Sequence, residues 1–152
     1  MEEPNVQIVQ EMFDAWNTRD VARYVKMLDA ECSVVTHGIP GHVQGRDAAV
    51  DAMRRWFTAF TDLHFHVEAV VPIGERLVAS WQATATAPVG VMRHPPAERV
   101  VKASGCAVIE FRNGRVGYVW SYWDNAEMLR ACVSVLREDD ANISVHRLPP
   151  TS

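Results

Sequence analysis

The dipeptide Asn113-Gly114, set between two alternating apolar runs, restricts this chain more than any other feature. Both central positions of a two-residue type I′ turn need positive φ, which Asn and Gly accept most readily, so the flanking residues are expected to form a tight hairpin. In the simplest register Phe111 faces Val116, Ile109 faces Tyr118, Ala107 faces Trp120, Gly105 faces Tyr122 and Ala103 faces Asp124. Side chains alternate along a strand, so these ten share one face, and Asp124 is the lone carboxylate among apolar, aromatic and small residues. Glu110, Val108, Cys106, Ser104, Gly117, Val119, Ser121 and Trp123 then share the other face. A one-residue bulge would exchange the two sets beyond it.

Upstream the periodicity is helical. Val9, Met12, Phe13 and Trp16 form an i, i+3, i+4, i+7 stripe over residues 5–17, with Pro4 suited to the first turn. Asn17 or Thr18 is expected to cap a second helix with the stripe Val21, Tyr24, Val25 and Leu28, ending near Asp29. Cys32 to His37 reads as a short extended run. Gly38, Pro40, Gly41 and Gly45 mark a loop into a third helix carrying Ala49, Ala52, Met53, Trp56, Phe57 and Phe60.

After Asp62 the period changes to alternation. Leu63–Val71 and Leu77–Thr86 read as strands joined at Gly74-Glu75, the second placing Leu77, Ala79, Trp81, Ala83 and Ala85 on one side. The alanines leave space beside Trp81, as a cavity-lining strand would. A long loop, Pro88 to Pro96, precedes the hairpin, and residues 127–136 suit either a helix or a last strand. Residues 1–137 are expected to form one domain and 138–152 a polar, flexible tail.

A chain of 152 residues that is 48% hydrophobic can bury a real core. Its three cysteines, Cys32, Cys106 and Cys132, are too scattered for a disulfide framework or a zinc cluster. A reducing cytoplasm suits them. Met-Glu-Glu-Pro is not a signal peptide, and no apolar run is long enough to span a bilayer, so no membrane association is expected. A net charge of −4 without a basic tract excludes nucleic acid as a partner.

Three helices followed by antiparallel strands specify an α+β domain, a curved antiparallel sheet wrapped around the helices. Trp123, Val119 and Val108, on the face away from Asp124 in this register, call for cover, so a homodimer through the outer sheet face is expected.

The two helices, the Val35-Thr-His-Gly-Ile-Pro-Gly41 loop, the Gly45-Arg46-Asp47 helix start, Trp81, Pro95-Pro96, Gly105, Phe111-Arg-Asn-Gly114 and Trp120 four residues before Asp124 together resemble the SnoaL-like polyketide cyclases of the nuclear transport factor 2-like superfamily. The resemblance covers roughly residues 5–135. It implies a cone-shaped α+β barrel around a hydrophobic cavity, with the aspartate matched by Asp124 acting as acid/base without metal or cofactor. Relatives so implied include epoxide hydrolases, ketosteroid isomerase and polyketide hydroxylases. The chain departs from the family where many members read Gly-Thr-His after the strand of Trp81: it reads Ala85-Thr86-Ala87.

Asp124 is therefore the leading catalytic candidate, since burial among rings would bring a carboxyl toward working pH; capping a helix that begins at Asn125 is its competing role. His37, beside the Gly-Pro-Gly loop, is the second acid/base candidate. Trp81, Trp120, Tyr122, Tyr118, Trp16 and Trp56 are candidates to stack on a flat ligand, although Trp16 and Trp56 also suit ordinary core. Arg93 and His94 are candidates to meet substrate oxygens from the long loop. His64 and His66 share one side of a strand, but no carboxylate-histidine cluster accompanies them and no metal site is assigned.

The leading expectation is a cofactor-free enzyme closing a ring in an aromatic polyketide intermediate. A tailoring hydroxylase working with a partner reductase is the alternative, and a non-catalytic module for ligand binding or dimerisation a third.

Overall fold

The change from helical to alternating period divides the fold where the sequence does. The computed structural model describes residues 4–37, 42–86 and 100–124. Within them lie helices α1 (Pro4–Thr18), α2 (Val21–Met27) and α3 (Arg46–Ala59), and strands β1 (Leu28–Thr36), β2 (Val43–Gln44), β3 (His64–Ile73), β4 (Arg76–Thr86), β5 (Val100–Arg112) and β6 (Arg115–Asp124). The strands form one curved, unclosed sheet in the order β2-β1-β6-β5-β4-β3, with the helices against its concave side. Residues 1–3, 38–41, 87–99 with Arg93 and His94, and everything after Asp124, including Cys132 and the spans 127–136 and 138–152, lie outside the described residues.

The helix α1 buries Val9, Met12 and Phe13 of its stripe together with Ala15, while Trp16 is half-buried. The second helix is shorter than its periodicity suggests. Asp20, not Asn17 or Thr18, caps it by accepting from the Arg23 backbone N–H. Leu28 leaves it for extended backbone and pairs with Val116, fully buried. Removing such a leucine from water is worth about 1.5–3 kcal/mol, enough to override the preference of one residue for a helix.

Asn17 takes a different task. Its amide donates to the Phe65 carbonyl at 2.8 Å and accepts from the Phe65 N–H at 2.7 Å. It thus occupies backbone groups that the edge strand β3 would otherwise offer to another chain.

Pairing is antiparallel except between β1 and β6, which are parallel, a departure from the fully antiparallel sheet expected. On β4 the alternation holds: Leu77, Ala79, Trp81, Ala83 and Ala85 are all buried. The Gly74-Glu75 turn forms with Gly74 at φ +62° and Ile73 opposite Arg76.

The second hairpin turns at Asn113 and Gly114, with φ of +55° and +72°, and Phe111 faces Val116 as expected. One step further the register shifts. Glu110 faces Tyr118, so Gly117 is an extra residue on β6, and a Cβ there would come within 2.9 Å of the Arg112 Cβ. Every later β6 side chain is on the face opposite to the simple register. Val119, Ser121 and Trp123 face the helices; Tyr118, Trp120, Tyr122 and Asp124 face outward.

Cys32 is buried and Cys106 half-buried, both as free thiols. No helix among the described residues is long and apolar enough to cross a membrane.

Candidate functional site

Between the helices and the concave side of the sheet is a cavity of about 550 Å³. That is within the range of sites that enclose drug-sized ligands, roughly 300–1,000 Å³. Its walls differ in kind. The helices and the segment after them supply rings, Phe13, Trp16, Trp56 and Phe60, while the sheet supplies Ala83, Ala85, Ala103 and Ala107 around Trp81, Val119 and Trp123. The alanines of the sheet, set among rings from both walls, leave a slot.

The rings hold each other in place. Trp56 meets Trp123 edge-on with centroids 5.5 Å apart and stacks on Phe60 at 6.0 Å. Phe65 meets Trp81 edge-on at 5.2 Å and Trp16 at 5.8 Å. Such pairs are worth about 0.5–1.5 kcal/mol each beyond burial, and they fix the angles of the wall. Gly105 is opposite Trp81, and a Cβ there would lie 2.6 Å from the indole Cζ2. Only glycine lets the ring lie across β5.

Few polar groups interrupt this surface. Thr36 and Ser121 are register partners on β1 and β6, and both border the cavity. Arg55 stands at the exposed edge of α3. Tyr24 of α2 is 4% exposed. Burial pushes its phenol up to about 12, with the Trp16 indole acting in the opposite direction. Among the described residues no carboxylate lines the cavity.

Of the residues singled out in the sequence, Trp16, Trp56 and Trp81 do line the cavity. Asp124 does not: it is exposed on the outer face, opposite Ser104, because the extra residue at Gly117 turned that half of β6 over. Trp120, Tyr122 and Tyr118 share its fate. Tyr118 and Trp120 stack at 3.9 Å on the outer surface, with Arg76 5.4 Å above the Trp120 ring. His37 is exposed there too, 5.4 Å from the Tyr122 ring, away from the cavity. Trp123 and Val119, expected outside, are cavity residues; Val108 is on the outer face as expected.

His42 borders the cavity edge, but its imidazole Nε2 is paired with the Ser33 hydroxyl and its ring faces Tyr118. His64 and His66 are exposed on β3. Sequence reasoning missed Tyr24, Thr36, Ser121 and Trp123 as site residues. A glycine inside an otherwise regular strand, Val116-Gly117-Tyr118, was the available sign that the last two would face inward.

A family model described as SnoaL-like polyketide cyclase matches residues 6–132. No curated protein matches the chain. Among solved structures, an NTF2-like protein of unknown function from Burkholderia pseudomallei is 23% identical, over 85% of this chain and 97% of that one, with a TM-score of 0.71. AclR from Streptomyces galilaeus, provisionally named a hydroxylase, is 21% identical over 84% and 94%, with a TM-score of 0.70. A protein of Jannaschia sp. CCS1, provisionally named a SnoaL-like polyketide cyclase, is 21% identical over 87% and 91%, with a TM-score of 0.71. At these identities the structures establish an NTF2-like cone fold.

Proposed function

Because this chain belongs to the SnoaL-like polyketide cyclase family, we propose that it is an enzyme acting on a flat, hydrophobic, multi-ring polyketide intermediate held between the rings of the helices and the alanines of the sheet. The observation that carries this reading is the cavity of about 550 Å³ with its mainly apolar, ring-rich lining. Ring closure by intramolecular aldol addition is the reaction proposed first. It moves a proton from carbon to the new alkoxide, and a mainly apolar cavity would keep out water that competes with the intramolecular attack. Asp124 is not assigned the proton transfer, since its carboxylate is on the other side of the sheet.

The test is incubation of the pure protein with an uncyclised polyketide methyl ester. Acceleration of ring closure over buffer is expected, and its absence removes the cyclase reading.

A hydroxylase that works with a partner reductase is the second reading. It is favoured by the lack of a carboxylate at the cavity among the described residues and by Ala85-Thr86-Ala87. In that reaction one atom of dioxygen enters the ring, the other leaves as water, and the reductase supplies two electrons. Oxygen uptake that depends on both the polyketide and a reductase would establish it in place of ring closure.

The same reading includes a homodimer through the outer sheet face. Tyr122 is 44% exposed, Val71 49%, and the stacked Tyr118 and Trp120 lie on the same surface, more ring than a strand face usually leaves in water.

A further inference from the structure

We propose that the phenol of Tyr24 is the hydrogen-bond donor that fixes a carbonyl or enolate oxygen of the ligand inside the cavity. This rests on the cavity being the ligand site and adds which ligand group is recognised there.

Tyr24 is 4% exposed and borders the cavity. A phenol O–H withdrawn from water to that degree ordinarily finds an acceptor. Among the described residues the partner of this hydroxyl is the Trp16 indole, whose N–H donates to it. The closest ring, Trp16, meets it edge-on with centroids 5.6 Å apart, and an indole N–H only donates. The phenol's own hydrogen is therefore available to whatever fills the cavity. Because burial holds the group up to about 12, it is a neutral donor throughout the physiological range and never a base. The other two tyrosines, Tyr118 and Tyr122, are on the outer face and cannot share the task.

A buried donor in a mostly apolar slot selects ligands by what they place against it. A hydrocarbon leaves the O–H unpaired, whereas a polycycle with a carbonyl at one edge satisfies it. If a proton is then removed from the adjacent carbon, negative charge gathers on that oxygen and the hydrogen bond strengthens as it does so. The class of ligand is thus a planar polycyclic ketone or its enol.

The experiment uses 9-fluorenone and fluorene, flat tricycles that differ by one carbonyl oxygen, titrated into the full chain and followed by tryptophan fluorescence. Fluorenone is expected to bind Tyr24→Phe roughly 2- to 10-fold more weakly than the natural protein, the effect of one neutral hydrogen bond. Fluorene is expected to bind both equally. The carbonyl stretch of bound fluorenone is expected at lower wavenumber in the natural protein and to return in Tyr24→Phe. Should the variant fail to fold, the stretch in the natural protein decides alone. If fluorenone binds both proteins equally, or its stretch matches that in a hydrocarbon solvent, the proposal falls while the cavity remains a ligand site. If neither tricycle binds, the reading of the cavity falls and this proposal with it.

Discussion

Ser121 and Asp124, three residues apart on β6, stand on opposite sides of the sheet: the serine borders the cavity and the aspartate is exposed on the outer surface. An odd separation on a strand always divides two side chains in this way. Asp124→Asn is therefore expected to leave affinity for a polycyclic ligand unchanged within twofold. Ala83→Leu, which puts a branched side chain into the slot, is expected to weaken it at least tenfold. Fluorescence titration of the two variants with one ligand checks both.

Gly105 admits no side chain. A Cβ would meet the Tyr122 carbonyl oxygen at 2.5 Å, the Trp81 ring at 2.6 Å and the Trp123 Cβ at 2.7 Å. Gly105→Ala is expected to cost about 1–3 kcal/mol, as overpacking does, and to push Trp81 or Trp123 into the cavity. Denaturant unfolding measures the first effect and ligand affinity the second.

The amide of Asn17 spans two backbone groups of β3. Asn17→Ala leaves both without their partner, and a loss of about 1–3 kcal/mol is expected from chemical denaturation. The freed edge should also raise the tendency to aggregate, measurable by light scattering.

Asp62 accepts from the Thr86 hydroxyl and, at 2.8 Å, from the Thr86 N–H, and these bonds hold its carboxyl below the ordinary value of 3.8. A carboxyl depressed on folding stabilises the protein above its unfolded value, and that contribution fades as pH falls through the folded value. Thr86→Val removes the larger cause. The variant should be less stable than the natural protein at pH 6, and the difference should shrink below about pH 4. Thermal unfolding at the two pH values decides it.

Trp120→Glu places a charge at the centre of the outer aromatic stack beside Tyr118. Sedimentation is expected to show a dimer for the natural chain at micromolar concentration and a monomer for the variant, with the fold retained. A dimer that survives the substitution would put the interface elsewhere.

Much of this architecture is legible in the residues. The Asn113-Gly114 turn, the switch of period after Asp62 and the buried Trp81 face of β4 need only local rules, because each is a contest between nearby φ, ψ and side-chain preferences. Two things are not local. The parallel pairing of β1 with β6 joins residues at least 85 positions apart, and no turn between them announces it. The extra residue at Gly117 depends on how the sheet twists beside Arg112, and it decides which half of β6 faces the ligand. Periodicity alone therefore turns Trp16, Trp56 and Trp81 toward the cavity, where they lie, whereas the simple hairpin register turns Trp120, Tyr122 and Asp124 inward and the one-residue shift turns them outward.

The inward face of the sheet, not the outward one, is where a ligand should sit, and the five tryptophans report on that directly. Trp16, Trp56, Trp81 and Trp123 border the cavity, and Trp120 lies outside. Indole N–H resonances recorded while a flat tricyclic ketone is added should show the first four shifting and Trp120 still. Movement of Trp120 with the other four unchanged would place the ligand on the outer surface and contradict the cavity as the site.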